Sequence, residues 1–227
     1  MLHRYRSAMI RPGRDQLSGG VEVDETVLGA PEPGRPGRGA LAKTLVAVAV
    51  EREKRTFGRC RLPVIADASA PVLRAFLLDA VEPSSTVITG RGPSYPSAYG
   101  NDYVHEPVVV SGSGHEAHEL LPAVHRAASL LKGWLEGTRR GGVQPAHLQA
   151  YLDESCFRFN RRSSRSRGLL FYRLLEQSVQ AAPRTYRSLV AGTHAPRRSP
   201  PVPPPDKRVR CESLAGPSLD RPWRKAG

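Results

Sequence analysis

Cysteine is scarce in this 227-residue chain: Cys60, Cys156 and Cys211 are an odd number at wide spacing, with no CxxC pair. That pattern gives neither a disulfide framework nor a zinc site, and a reducing, cytoplasmic setting fits it. Long apolar runs are missing as well. No stretch approaches the roughly 18 residues of a membrane span, so a membrane protein is excluded. The opening MLHRYRSAMIRPGR has neither the apolar stretch nor the small-residue cleavage site of a signal peptide. Acidic residues are the third deficit: 21 Asp and Glu face 34 Lys and Arg, a formal net charge of +13 with a pI near 10.4. A surface of that sign attracts polyanions, and nucleic acid is the partner class it indicates.

The 39% hydrophobic content suffices for the core of one sizeable domain. Residues 1–20 are basic, end in the turn-like LSGG and read as the remnant of a longer N-terminal region. VEVDET (21–26) alternates like a strand, with Glu22, Asp24 and Thr26 on one face and Val21, Val23 and Glu25 on the other. Its carboxylates have two explanations at this point. They are charges on the solvent face of an edge strand, which discourage unwanted pairing, or they include a metal ligand at the centre of a phosphoryl-transfer site. GAPEPGRPGRGA (29–40) is a loop, made basic by Arg35, Arg38 and the nearby Lys43. TLVAVAVE (44–51) and GRCRLPVI (58–65) add two strands, and three in succession form a meander.

From ADASAPVLRAFLLDAVEP the period becomes helical. Asp67 or Ser69 can cap, Pro71 suits the first turn, and Val72, Leu73, Phe76, Leu77 and Ala80 make one apolar face that ends before Pro83. STVIT (85–89) is a fourth strand, GRGPSYPSAYG a loop or short helix, and YVHEPVVV (103–110) a fifth strand. Amphipathic helices follow over 120–137, 146–162 and 168–180. Residues 191–227 are rich in Pro and Arg, lack apolar periodicity and read as a disordered basic tail. Strand, strand, strand, helix, strand, short helix, strand is the order of an RNase H-like α/β domain. It implies a mixed sheet flanked by helices over 21–190, with a helical C-terminal extension.

The stretches MLHRYRSAMIRPGRDQLSGGVEVDET, GRGALAKTLVAVAVE, VIADASAPVLRAFLLDAVEPSSTVIT, SLLKGWLEGT and HLQAYLDESCFRFNRRSSRSRGLLFYRLLEQ are collinear from residue 1 to about 190. Together they resemble the DDE-type insertion-sequence transposases of the ISXO-type group, bacterial relatives of the retroviral integrase catalytic domain. FRFNRR followed by LLFYRLL is the most specific part. The resemblance implies metal-dependent DNA strand cleavage and transfer, Mg2+ or Mn2+ as cofactor, transposon ends and target DNA as partners, a homo-oligomer, and a cytoplasmic, nucleoid-associated protein.

Carried over by position, the resemblance makes Asp24 the first catalytic carboxylate and a metal ligand. The second acid of the group follows the fourth strand in a stretch like TVxTDGWxxY; this chain reads TVITGRGPSY, with Gly90 at the acidic position. His125 stands at the third acidic or amide position. Lys132, seven residues and two helical turns along the same face, matches the lysine of the group. The histidine that closes the motif is replaced by Arg139 or Arg140. These departures imply a truncated or degenerate copy with impaired catalysis, or a non-enzymatic DNA-binding remnant that regulates an active transposase.

Plainer readings stand beside these. Lys132 is a solvated helix charge or a phosphate contact, His125 a surface histidine or a site group, and Asp67 a helix cap rather than a substitute for the lost acid. Arg158, Arg161, Arg162, Arg165 and Arg167 crowd one ten-residue stretch. Such density favours phosphate contacts, which position DNA without reading its sequence. The DNA-contacting set expected from sequence is therefore Lys132, Arg139, Arg140, Arg158, Arg161 and Arg162.

Overall fold

The computed structural model describes residues 2–11, 13–29, 43–53, 56–90, 95–109, 114, 116–139, 143–181 and 185–187. Its elements run α1 (Leu2–Ala8), β1 (Gly20–Leu28), β2 (Thr44–Arg52), β3 (Phe57–Arg61), β4 (Val64–Ile65), α2 (Ala70–Ala80), β5 (Thr86–Gly90), α3 (Tyr95–Tyr99), β6 (Val104–Val108), α4 (Ala117–Leu120), α5 (Pro122–Arg139), α6 (Pro145–Asn160) and α7 (Gly168–Gln180). Much of the basic loop after β1, with Arg35 and Arg38, and the tail 191–227 with Cys211, lie outside the described residues.

The described strands form one mixed sheet in the order β3-β2-β1-β5-β6, with β4 paired to β2. β1 runs antiparallel to β2 and parallel to β5, and β6 continues in parallel with β5. This is the RNase H-like arrangement. It also makes β1 the central strand, so the edge-strand explanation of its carboxylates falls.

Alternation sorts the strands into two packed layers. Val46, Val48 and Val50 of β2, with Leu28 and Ile88, pack with Leu131 of α5 and Leu152 of α6. Val21, Val23, Ala47, Ala49 and Val87 face the other way, onto Leu73 and Leu77 of α2 and Tyr95 and Tyr99 of α3. β2 is covered on both faces, which is why it reads as a continuous apolar run instead of an alternating one. Leu131 and Leu152 are fully buried, each contributing about 1.5–3 kcal/mol.

Three local departures from the sequence reading have plain causes. GRCRLPVI divides into β3 and β4 at Pro63, which has no N–H for the ladder and whose carbonyl accepts the Ala47 N–H at 3.0 Å. The helix expected over 120–137 divides into α4 and α5 at Leu121, because Pro122 suits a first helical turn and not an interior one. Asp67 accepts the Ser69 N–H at 2.8 Å in the turn before α2, so Ser69 holds the N-cap position.

The basic leader contains α1, which packs on α6. Arg6 pairs with Glu154 at 2.6 Å, and its guanidinium lies 4.3 Å from the Tyr151 ring centre. Further on, Leu17 is fully buried and exchanges backbone hydrogen bonds with Ala80 and Glu82 at 2.8 Å. Cys60 and Cys156 are free and buried in the layer between β3 and α6. Among the described residues no helix is long and apolar enough to cross a membrane.

Candidate functional site

The parallel pairing of β1 with β5 reaches Val23↔Thr89, so Asp24 and Gly90 are the next residues along two adjacent strands. Residues in parallel register share a face, and this one looks toward α5. Asp24 is half-buried, and its Oδ1 accepts the Glu25 N–H at 2.8 Å. Gly90 offers no side-chain donor. A Cβ placed there would meet nothing within 4 Å, and its backbone lies outside the left-handed region. The strand end therefore has room for a larger side chain beside Asp24.

α5 supplies the opposite wall, and its start depends on a residue far away in sequence. A helix begins with N–H groups that lack partners, and a side chain at the N-cap normally takes the second or third of them. Leu121 precedes Pro122 and has no side-chain acceptor to offer. Glu22 of β1 fills the role: its Oε2 accepts the Ala123 N–H at 2.7 Å and the Val124 N–H at 3.2 Å. The carboxylate is fully buried, with Arg52 3.7 Å from Oε1, which accepts no hydrogen bond. Burial raises the Glu22 carboxyl above its ordinary value, while the two N–H groups and Arg52 draw it back down.

Anchored in this way, α5 turns one face to the strand end. His125, Ser129, Lys132 and Glu136, spaced four, three and four apart, line a cleft of about 560 Å³ together with Asp24, Glu25 and Thr26. Asp24, His125 and Lys132 are thus brought to one cleft, with Gly90 beside Asp24 at the strand end. Ser129 and Glu136 escaped the sequence reading, although Glu136 follows Lys132 by one turn and the same spacing points to it. Glu22 carried a subtler signal, the lack of any capping side chain before Pro122.

On the other face of β1, the Tyr95 hydroxyl donates to Glu25, which ties the end of β1 to α3. Burial and the nearby carboxylates push the Tyr95 hydroxyl up, so it stays a donor. Tyr99 stacks on His105 at 4.1 Å, and the Thr89 hydroxyl lies 3.0 Å from His105 Nε2.

The donor set does not match a two-metal cradle. Among the described residues no three His, Cys, Asp or Glu side chains converge closely enough to hold an ion. Gly90 leaves Asp24 without a carboxylate neighbour on β5.

The arginines expected to contact DNA are dispersed. Arg158 pairs with Glu154 at 2.7 Å and lies 5.5 Å from the Trp134 ring centre. Arg162 donates to the carbonyls of Phe57, Gly58 and Phe159 and lies 4.0 Å over the Phe159 ring. Arg161 lies 3.9 Å over Phe157 and enters a second cleft. Arg139 closes α5, and Arg140 lies outside the described residues. Arg165 and Arg167 are exposed between α6 and α7.

The family model described as an ISXO2-like transposase domain matches residues 16–160. Among solved structures, the catalytic core domain of BIV integrase is similar at 16% identity and a TM-score of 0.42, over 72% of this chain and 97% of that one. A chain of the simian T-cell lymphotropic virus intasome in complex with PP2A regulatory subunit B56 gamma is similar at 15% identity and a TM-score of 0.31. That match covers 95% of this chain and 72% of the other. No curated protein matches.

Proposed function

From the premise that this chain belongs to the ISXO2-like transposase domain family, we propose that it engages transposon-end or target DNA at the Asp24 cleft as a catalytically impaired copy. Gly90 carries this reading. In-line displacement at phosphorus by the mechanism of the group needs divalent ions fixed by several carboxylates. Asp24 is the one carboxylate of that set this chain keeps, so it would hold Mg2+ or Mn2+ only weakly. Lys132 takes a phosphate oxygen of the strand, and His125, at the third position, orients water. The charge of +13 supports sequence-independent attraction to the DNA backbone.

The same glycine favours a second reading, in which the chain binds DNA without cutting it and restrains an active copy through a shared oligomer. One assay series tests both. Duplex DNA carrying a transposon end should bind with an affinity that falls steeply with salt, and Mg2+ or Mn2+ should elicit little or no cleavage or joining. Robust metal-dependent cleavage, abolished by Asp24→Ala, would show an intact enzyme and overturn the impairment. Affinity that does not change with salt would remove the electrostatic basis for DNA binding.

A further inference from the structure

At the β3 edge of the sheet, the segment that follows α1, together with β3, α6 and α7, borders a cleft of about 590 Å³ that shares no lining residue with the Asp24 cleft. Six arginines line it, Arg11, Arg14, Arg59, Arg61, Arg161 and Arg173, against the carboxylates of Asp15 and Glu176. Arg59 pairs with Glu51 at 2.5 Å and Arg11 with Asp15 at 3.0 Å. Arg61, Arg161 and Arg173 form no ion pair among the described residues.

Arg61 is the most telling of the three. It is 4% exposed and donates to backbone carbonyls alone, those of Cys60 at 3.1 Å and Asp15 at 2.5 Å. Burial, and then the neighbouring Arg14 charge, push its guanidinium down to about 10. Burial together with Arg173 and Arg11 lowers Arg161 as well. Buried cations without counter-charge are costly, and they keep their protons at neutral pH. A phosphate group relieves that cost, because its oxygens take paired N–H donors from planar guanidinium forks.

We propose that this cleft binds the backbone phosphates of a nucleic-acid strand, with Arg61 at its buried end and Arg161 and Arg173 nearer solvent. Arg11 and Arg173 are exposed at its mouth, and the cleft is far larger than one phosphate ion needs, which favours a continuous strand. Recognition of the anion rests on the arginines alone. Only the choice of nucleic acid as its source rests on the transposase reading.

The test measures binding of a labelled duplex oligonucleotide to the full chain by fluorescence anisotropy across a salt series, and thermal protection by inorganic phosphate. Arg173→Gln changes an exposed residue and keeps the fold, and Arg161→Gln/Arg173→Gln removes two contacts. The double variant should bind about tenfold more weakly or worse, and its salt slope should drop by about two, one per lost phosphate contact. Lys132→Gln, in the other cleft, should leave the size of that drop unchanged. If the wild-type chain binds DNA and both arginine variants match it in affinity and slope, the site is overturned while the transposase reading stands. If phosphate protects the wild-type chain and not the variants, yet no DNA binds, nucleic acid as the ligand and the transposase reading fall together.

Discussion

Glu22→Ala should unfasten the start of α5. The change leaves the N–H groups of Ala123 and Val124 without their acceptor, and both residues are buried, at 0% and 2% exposure. A buried donor left unpaired costs about 1–3 kcal/mol, and the loss of an N-cap acceptor alone about 0.5–2 kcal/mol. Two such donors give an overall loss of about 3 kcal/mol. Glu22→Gln keeps a carbonyl oxygen for the same N–H groups and sheds the buried charge, so it should stay within about 1 kcal/mol of the parent. The pH dependence separates the two effects. The folded-state value of Glu22 is raised, so its stabilising contribution is fully present below the ordinary carboxyl value of 4.5 and is lost as pH rises through the raised value. Urea unfolding over a pH series should show that decline in the parent chain and not in Glu22→Gln. An alanine variant within 1 kcal/mol of the parent at every pH would refute the capping role.

Glu51 should behave with the opposite sign. Burial alone would raise its carboxyl, but the Arg59 guanidinium and the N–H groups of Arg59 and Ser18 hold it below the ordinary value. Its contribution is therefore present above about pH 4.5 and lost as pH falls through the lowered value, and Glu51→Gln should flatten that acid limb in the same unfolding series. Arg162→Ala should cost about 1–2 kcal/mol of stability through its carbonyl contacts and leave the salt slope of DNA binding unchanged; a slope lowered by one would show a phosphate contact instead. Gly90→Asp should melt within a few degrees of the parent, because a side chain there meets open space; a large drop in melting temperature would mean the backbone requires glycine.

The strands and the layer order were legible because alternation and apolar runs are local signals. VEVDET marked a strand with two distinct faces, and TLVAVAVE marked an apolar strand whose burial on both sides the structure supplies. The breaks at Pro63 and Leu121 were harder to read, since each apolar pattern continues across its break and the proline decides where pairing or helical bonding stops. Asp24, His125 and Lys132 came from the resemblance to the transposase group, and the fold brings all three to one cleft, where Glu136 follows from the helical period. The cap that Glu22 provides was not legible, because its partners stand a hundred residues away. The arginine cleft was hidden for the same reason. Its side chains come from a leader, a strand and two helices, whereas the run from Arg158 to Arg167 that looks basic in sequence is partly consumed by Glu154 and by backbone carbonyls.

The central claim is that the carboxylate missing at Gly90, beside Asp24, leaves this chain with weak metal binding. Mn2+ affinity, followed by electron paramagnetic resonance, tests it without relying on DNA cleavage. Mn2+ should bind the parent chain weakly. Gly90→Asp should tighten binding by at least tenfold, and adding Asp24→Asn to that variant should abolish the gain. Tight Mn2+ binding by the parent chain, lost on Asp24→Asn and no better in Gly90→Asp, would contradict the claim.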